Sequence, residues 1–412
     1  MWLIIVLPFM FGFLNELIGL PGAIRYILDI SWVCLLILLL KYNRQILGRN
    51  TQELFGYVCI FIGFTLIVYL CHFQSLLYYL WGFRNNFRFF LVVILFASFL
   101  RKNDVNEFFS LFFKIFWINA VISLVQYFGL GYNGDHLGGL FGVQNGANGY
   151  TNIYLCIMIT YAVLRYMEKK DSLWKCAAVC VTALLIAALA ELKFFFVEFV
   201  LIIGLTAVFT DFSMRKIAAV VGGLVVVILF SSLLEILFPY FSGFLSIDWF
   251  IEKGTSDTGY TSAGDINRLN AIPVINNLWL NTWPQQMFGL GLGNCDTATY
   301  AFLNTPFFES YGYMHYSWLS YAFMYLECGW IGLIFYFGFF VLVYFKATKI
   351  QKRVTGNGVT YCQLARIVAI LCVVISIYNS SLRTEAGYMA YFVLSIPFVY
   401  DRCARTKVLK TI

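Results

Sequence analysis

The stretch IAAVVGGLVVVILFSSLL, residues 217–234, contains no charged side chain. A helix of this length and composition can cross the roughly 30 Å hydrocarbon core of a bilayer. Similar apolar runs recur along the chain, which is 61% hydrophobic and only 12% charged. Soluble domains are about half apolar and about a quarter charged. The sequence therefore predicts an all-α fold, that of a polytopic membrane protein embedded in a lipid bilayer.

The apolar runs predict about twelve membrane spans. The first, MWLIIVLPFMFGFLNELIGL (1–20), is too long for a cleaved signal peptide and has no basic residues ahead of its apolar part. We therefore interpret it as a span. The fourth and twelfth spans have the shortest apolar cores. The spans are expected near 1–20, 23–40, 54–71, 84–100, 107–130, 149–167, 176–192, 194–211, 217–238, 329–346, 361–379 and 386–401.

The distribution of Lys and Arg sets the predicted orientation. Most of the 28 basic residues fall in even-numbered connections or after the last span, for example Lys346, Lys349, Lys352 and Arg353. Cytoplasmic connections carry such an excess, so both termini are expected in the cytoplasm. The net charge of +7 follows from this bias and does not indicate a nucleic-acid partner. The basic residues expected outside are Arg25, Arg84, Arg88, Lys193, Lys253, Arg268 and Arg383.

The chain divides into three predicted parts: spans one to nine (1–238), a large periplasmic connection (239–328), and the last three spans with a cytoplasmic tail (329–412). Connections this long are usually functional or disordered. This one is rich in aromatic residues and leucine, which argues against disorder. The 11 cysteines lie mostly inside apolar runs and show no metal-type spacing, so no metal site or disulfide framework is predicted.

Polar chemistry is concentrated on the predicted outer side. All three histidines, His72, His136 and His315, lie there or at outer span ends. Transporters more often place ionisable groups near the middle of the bilayer. The distribution therefore predicts a site at the outer interface.

Arg268 is the first candidate for that site. It lies in SAGDINRLNAIPVINNLW (262–279), where Ser262 or Asp265 can cap the start of a broken amphipathic helix on the membrane surface. Arginine binds phosphate with a planar fork of donors. The alternative is an arginine that only reaches the lipid headgroups.

Further candidate cations lie near other outer span ends. WGFRNNFRFF (81–90) places Arg84 and Arg88 one helical turn apart, either as a second phosphate clamp or as interfacial anchors. Lys193 lies at the tip of an apolar hairpin between spans seven and eight. Arg383, in the last outer connection, is a weaker substrate-binding candidate beside Glu385.

His315 is the candidate for proton transfer. It precedes a short amphipathic helix, and Gly329 and Gly332 then open a full span. A neutral imidazole can accept a proton from a hydroxyl group. Asp265 and Glu191 are alternatives for that role, and a purely structural histidine is the other interpretation.

The stretch WPQQMFGLGLGNCD (283–296) resembles a phosphate loop. However, no strand precedes it and no Lys-Ser/Thr pair follows it, so the context of a nucleotide site is missing. Two interpretations remain for Gly289, Gly291 and Gly293. They form an ordinary turn after a helix, or they let the backbone approach a bound diphosphate or sugar.

The order of these motifs resembles the O-antigen polymerase / O-antigen ligase family of bacterial envelope enzymes over nearly the whole chain. An Arg opens a helix in one large outer loop, and a Trp, a glycine-rich turn after a proline, a His-led helix and a Gly-containing span follow. The stretch GGLFGVQNGANGYTNIYL (138–155) resembles the family's loop before span six. One position departs from the family pattern, because His315 is followed by Tyr316 rather than Asn. The matching residues are Arg268, Trp279, Pro284 with the three glycines, His315, Gly329 and Gly332, with Arg84 or Arg88 and Lys193 upstream.

The resemblance implies a metal-independent glycosyltransferase with a GT-C-like fold and no cofactor. Its donor would be an oligosaccharide on a polyprenyl diphosphate, and a chain-length regulator and a flippase would be partners. Arg268, Arg84, Arg88, Lys193 and Arg383 would hold the diphosphate. His315, Asp265 or Glu191 would serve the acceptor hydroxyl. Trp279 and the glycines would shape the sugar groove.

Three functions stay open at this stage. A polymerase of polysaccharide repeat units, for O-antigen, capsule or exopolysaccharide, is favoured by the aromatic content of 19% and the His-Tyr departure. A ligase that moves finished glycan onto a lipid A core is the second. A flippase for lipid-linked oligosaccharides is the third, but the long outer connection and the absence of an internal repeat argue against it.

Overall fold

The structure, a computed structural model, describes residues 1–16, 18–72, 74–237, 254–298 and 300–409. These residues form helices and turns, with one isolated bridge between Tyr260 and Ile266. The all-α prediction is confirmed for this part of the chain. Residues 239–253 of the predicted long connection, which include Lys253, lie outside the described residues.

A long helix lies at each predicted span, and short helices lie in the long connection. The helices are α1 (Trp2–Glu16), α2 (Tyr26–Ile46), α3 (Arg49–His72), α4 (Leu76–Phe99), α5 (Lys102–Leu124), α6 (Ala147–Met167), α7 (Leu173–Leu189), α8 (Lys193–Phe209), α9 (Met214–Leu237), α10 (Ala271–Leu278), α11 (Trp283–Phe288), α12 (Pro306–Tyr311), α13 (Ser320–Gln351), α14 (Asn357–Tyr378) and α15 (Gly387–Leu409).

Within the described residues, seven helices are long and apolar enough to cross a membrane, which makes the chain a polytopic membrane protein by length and composition. The remaining long helices are shorter or less apolar, so the count of twelve spans and the GT-C-like fold stay predictions. With adjoining turns, the seven are Gly22–Tyr42, Arg49–His72, Leu76–Phe99, Lys102–Gly129, Met214–Ser232, Ser320–Gln351 and Asn357–Tyr378.

The helices differ in how deeply they are packed inside the protein. In both α4 and α14, 72% of the apolar window is buried, whereas in α9 only 6% is buried. Helix α6 is buried along most of its length, although it carries Thr151, Asn152 and Thr160. Central helices are surrounded by protein and can therefore hold polar side chains, whereas peripheral helices are left to face lipid.

The connections group by parity at the two ends of the bundle. At one end, Asn50 donates to Asp401 over 2.9 Å and Tyr361 donates to Asn106 over 3.0 Å. At the other end, Trp81 donates to the Thr297 carbonyl over 3.1 Å. Successive spans that cross the membrane in opposite directions require this arrangement. It brings the connections that the basic residues assign to the outer side together at one end, which we call the outer end.

Helix α13 contains the predicted short helix and the span that follows it. Its backbone leaves helical geometry at Gly329, where φ is 63° and ψ is −164°. A Cβ atom at Gly329 would lie 2.3 Å from the carbonyl carbon of Met287 at the end of α11. The kink lies at Gly329, where the sequence predicted the start of a span, and the close approach of α11 explains why glycine stands there.

Candidate functional site

A cavity of about 520 Å³ opens at the outer end of the bundle. Its walls come from parts of the chain far apart in the sequence: Arg25 after α1, residues 144–150 at the start of α6, residues 261–268 and 315–319 of the long connection, and residues 378–385 from the end of α14 onward. Three of the four predicted catalytic residues, Arg268, His315 and Asp265, line it together.

His315 and Asp265 form a hydrogen-bonded pair, with 2.6 Å between the imidazole Nδ1 and the carboxylate Oδ1. A carboxylate only accepts hydrogen bonds, so this contact places a proton on Nδ1 and leaves Nε2 of a neutral imidazole as the proton acceptor. The imidazole also stacks on Trp318, with 3.8 Å between the ring centroids. Two contacts therefore fix the ring, as a general base requires.

The backbone of His315 is in the left-handed region, with φ of 52° and ψ of 30°. Non-glycine residues seldom adopt this conformation, and where they do it often marks a functional site. Glu191 is another of the few such residues in the described part of the chain, with φ of 54°. At His315, the conformation lies between two short helical turns and turns the imidazole toward Asp265.

The segment before Arg268 corrects one sequence-based expectation. Helix α10 begins only at Ala271, with Asn270 as its N-cap residue, so neither Ser262 nor Asp265 caps it. Instead, residues 261–265 form a tight turn in which the Thr261 amide donates to the Asp265 carbonyl over 2.8 Å. The carboxylate of Asp265 is used by His315 rather than by helix amides, which is why the predicted helix start was wrong.

Arg268 lies on an aromatic platform at the cavity wall. Its Nε donates to the Tyr378 carbonyl over 3.1 Å, and its guanidinium carbon lies 4.6 Å from the centre of the Tyr378 ring. Phe194 stacks on the same ring at 4.1 Å and must occupy its other face. None of the ion pairs among the described residues involves Arg268, so its Nη groups can donate to an anionic ligand.

The other predicted arginines are held by carboxylates beside the cavity. Arg84 pairs with Asp29 at 2.7 Å, and the buried Arg88 lies 3.5 Å from Glu385. Arg383 lies 3.6 Å from Asp296 and 3.6 Å from the centre of the Phe323 ring. None of these three arginines lines the cavity. Their described contacts stabilise the wall, and direct binding of substrate by them stays a prediction.

Glu385 connects this network to the cavity, which it lines. It accepts a hydrogen bond from the Tyr150 hydroxyl at 2.9 Å. Burial raises the pKa of the Glu385 carboxyl, but the charge of Arg88 and several hydrogen bonds outweigh it, and the net pKa lies below its ordinary value. Glu385 is therefore a carboxylate at neutral pH.

The glycine-rich turn does not line the cavity. Helix α11 ends at Phe288 with Gly289 as its C-cap residue, as the simpler interpretation of the turn requires. A Cβ atom on Gly293 would lie 2.0 Å from the Tyr78 carbonyl oxygen, and one on Gly289 would lie 2.4 Å from the backbone of Glu327. Close packing against α4 and α13 therefore accounts for these glycines, and substrate binding by them or by Gly291 stays a prediction.

Trp279 is packed inside the long connection rather than at the cavity. Its ring contacts those of Phe307 and Tyr311 at centroid distances of 5.0 and 5.3 Å. Tyr316, at the position that departs from the family pattern, joins this cluster and donates its hydroxyl to the Cys295 carbonyl over 2.7 Å. These side chains form the core of the long connection.

Glu191 lies in the turn between α7 and α8, Lys193 lies at the start of α8, and both are outside the cavity lining. The Glu191 carboxylate lies beside Gly134. Lys193 is the first residue of α8, and its neighbour Phe194 supports the Tyr378 ring on which Arg268 lies. The structure thus places Lys193 near the candidate site but not within the cavity.

Sequence reasoning missed three aromatic residues of the cavity: Tyr150, Trp318 and Tyr378. Each holds a candidate polar side chain, namely Glu385, His315 and Arg268 respectively. In a chain with 27 Tyr and 10 Trp, composition does not distinguish them. The short distance in sequence between His315 and Trp318 was the one feature that could have indicated that their side chains lie together.

Metal-binding geometry and similarity to known proteins complete the description of the site. Among the described residues, no group of three or more His, Cys, Asp or Glu side chains could hold a metal ion. Comparison with protein-family profiles and with curated proteins finds no significant match for the chain.

Proposed function

We propose that this protein is a membrane glycosyltransferase that polymerises oligosaccharide repeat units carried on polyprenyl diphosphate, at the outer face of a bacterial inner membrane. The observation that supports this most is the shared cavity of Arg268 and the His315–Asp265 pair. An anion-binding group and a proton acceptor at one cavity are the two components that such a transfer needs.

The reaction joins an acceptor sugar to the anomeric carbon of the donor. The acceptor hydroxyl oxygen forms the new bond, the bond between the anomeric carbon and the diphosphate oxygen breaks, and the hydroxyl proton passes to Nε2 of His315. Arg268 binds the departing diphosphate, whose negative charge increases as the bond breaks. Asp265 holds the imidazole and stabilises its charged form, as a positioning residue.

The remaining cavity groups suit sugars. Asp135 and Glu385 repel phosphate but accept hydrogen bonds from hydroxyl groups, and both line the cavity. Trp318 offers an exposed ring face beside His315. The energy for the reaction is contained in the sugar–diphosphate bond of the substrate, which suits a site on the side of the membrane that the basic residues assign to the exterior.

The proposal is tested by the length of the surface polysaccharide in a deletion strain that carries Arg268→Ala or Arg268→Lys. Both variants should give only short chains, because Lys lacks the planar fork of arginine. Arg49→Ala is the matched control, because the Arg49 side chain is 79% exposed and lies at the opposite end of the bundle. Normal length ladders from both Arg268 variants would remove Arg268 from the site.

The same experiment separates the competing functions. Single repeat units still attached to the lipid core indicate a polymerase. Loss of all attached glycan indicates a ligase, and accumulation of lipid-linked units on the inner leaflet indicates a flippase. Of these outcomes, the first is the one we expect.

A further inference from the structure

An apolar groove lies between α8 and α9, on the peripheral side of the bundle. Its volume is about 150 Å³, and all of its lining residues are apolar or glycine. Gly204 and Gly223 contribute no side chains to it, which leaves the space open. The lining residues are Phe199, Val200, Ile203, Gly204, Val220, Gly223 and Leu224.

The groove shares a face of α8 with Lys193. The positions of Lys193, Val200 and Gly204 are spaced i, i+7 and i+11, so they lie in one line along the helix. With a rise of about 1.5 Å per residue, Val200 lies about 10 Å and Gly204 about 16 Å deeper in the bundle than Lys193. A cation therefore stands at the outer end of an apolar stripe that leads into the groove.

The same end of α8 adjoins the catalytic cavity. Phe194 follows Lys193 and stacks on Tyr378, and Tyr378 holds Arg268 through its carbonyl and its ring. A diphosphate bound by Arg268 is thus close to the first turn of α8. A hydrocarbon chain attached to it has a continuous apolar path along α8 into the membrane.

We infer that the groove between α8 and α9 binds the polyprenyl chain of the lipid-linked substrate, with Lys193 and Arg268 at its diphosphate end. The inference rests on the proposed function, which supplies a polyprenyl diphosphate as the ligand. Binding in the groove fixes the direction in which the diphosphate enters the cavity and so places the anomeric carbon near His315.

Two glycines allow a matched test. A Cβ atom built on Gly204 meets no atom within 4 Å, and the same holds for Gly222, which lies on α9 but does not line the groove. Gly204→Leu therefore begins its side chain in open space and extends it into the groove, whereas Gly222→Leu adds the same side chain outside the groove. Both replacements favour the helix, since leucine has a higher helix propensity than glycine.

The experiment measures binding of two probes to the purified full-length protein by native mass spectrometry. Undecaprenyl diphosphate has a chain long enough for the groove. Dimethylallyl diphosphate has three carbon–carbon bonds along its chain at about 1.5 Å each, so its chain reaches less than about 5 Å and stops short of Val200.

We expect Gly204→Leu to weaken binding of undecaprenyl diphosphate about tenfold, which corresponds to ~1.4 kcal/mol, and to leave binding of dimethylallyl diphosphate unchanged. Gly222→Leu should bind both probes like the wild type, and Arg268→Ala should bind both more weakly.

The groove assignment is overturned if Gly204→Leu binds undecaprenyl diphosphate as tightly as the wild type, or if it loses both probes equally. It is also overturned if phosphatidylglycerol shows the same dependence on Gly204, because the groove would then take any membrane lipid. If the wild type does not bind undecaprenyl diphosphate at all, the proposed function fails as well.

Discussion

At the scale of single residues, the pairing of His315 with Asp265 makes the most specific chemical statement. The left-handed backbone, the Trp318 stack and the 2.6 Å contact with Asp265 all orient one imidazole. A residue that only filled space would not need a carboxylate on Nδ1. The arrangement fits a base whose Nε2 accepts a proton from a hydroxyl group.

His315→Ala is expected to lower kcat by about 10²–10⁴-fold, the usual contribution of a general base. Asp265→Asn should lower kcat on the order of tenfold, because the amide no longer favours the required tautomer. Turnover of lipid-linked substrate by purified protein measures both. The control is His72→Ala, since His72 is also at the outer end and, within the described part of the chain, its side chain bonds the Val68 carbonyl in its own helix. A change in KM alone for His315→Ala would contradict the role in proton transfer.

Glu385→Gln tests the buried charge network. Glu385 is 6% exposed and Arg88 only 2% exposed, so removal of the carboxylate leaves a buried arginine with the more distant Asp29, 4.0 Å away, as its acidic partner. We expect a loss of about 3 kcal/mol of stability, seen as a lower Tm in detergent. Glu107→Gln, at an exposed position on α5, should leave Tm unchanged. An unchanged Tm for Glu385→Gln would show that the network is not stabilising.

The same network predicts a dependence on pH. The folded-state pKa of Glu385 is lower than its ordinary value of 4.5. Its contribution to stability is therefore complete above pH 4.5 and is lost as the pH falls through the lower, folded-state value. The Tm difference between wild type and Glu385→Gln should stay constant from pH 8 to 5 and narrow below about pH 4.5. A difference that grows on acidification would contradict the assignment.

At the scale of secondary-structure elements, the kink in α13 joins the long connection to the membrane part. Gly329 has φ of 63°, and its backbone lies against Met287. The kink lets Ser320–Cys328 pack under the long connection while the rest of α13 continues as a span. The position of His315, five residues before α13, depends on this geometry.

Gly329→Ala should lower stability by about 2 kcal/mol or more, because alanine is strained at positive φ and its Cβ meets the α11 backbone. Gly63→Ala is the control, since Gly63 lies within α3 and a Cβ there has no neighbour within 4 Å. It should raise stability by up to about 1 kcal/mol. Thermal unfolding in detergent compares the two, and equal effects would argue against a required kink.

The elements also show what the sequence could and could not predict. The long apolar runs of the sequence predicted the positions of the long helices, because each long helix covers one of these runs. Arg268 and His315 could be chosen as candidates from the sequence because the long connection contains few basic residues or histidines, and their chemical roles stay predictions. The pairing of Arg84 with Asp29, or of Arg383 with Asp296, was not predictable, because each partner comes from a distant helix or loop. For the glycine-rich turn, the sequence left open an ordinary turn or an approach to a bound ligand, and it did not predict the packing against α4 and α13.

At the scale of the whole molecule, the structure places the odd-numbered connections at one end and the even-numbered ones at the other. From the distribution of basic residues we propose that the cavity faces the exterior. This assignment matters for mechanism, since a site outside the cytoplasm must obtain its energy from the substrate.

Membrane topology can be measured directly with single cysteines. In a background with the exposed Cys34, Cys59 and Cys71 replaced by Ser, Ala263→Cys should react with a membrane-impermeant maleimide in intact spheroplasts. Arg353→Cys should react only after the membrane is permeabilised. Both positions are exposed in the structure. Labelling of Arg353→Cys but not Ala263→Cys in intact cells would invert the orientation and remove the basis for an extracytoplasmic enzyme.

The most direct test of the central claim is a reaction with purified protein, lipid-linked repeat units and no nucleotide sugar. We predict that the wild type forms a product of two joined units and releases one polyprenyl diphosphate for each bond formed, and that Arg268→Ala does neither. Failure of the correctly folded wild type to release polyprenyl diphosphate, or equal turnover by Arg268→Ala, would contradict the account.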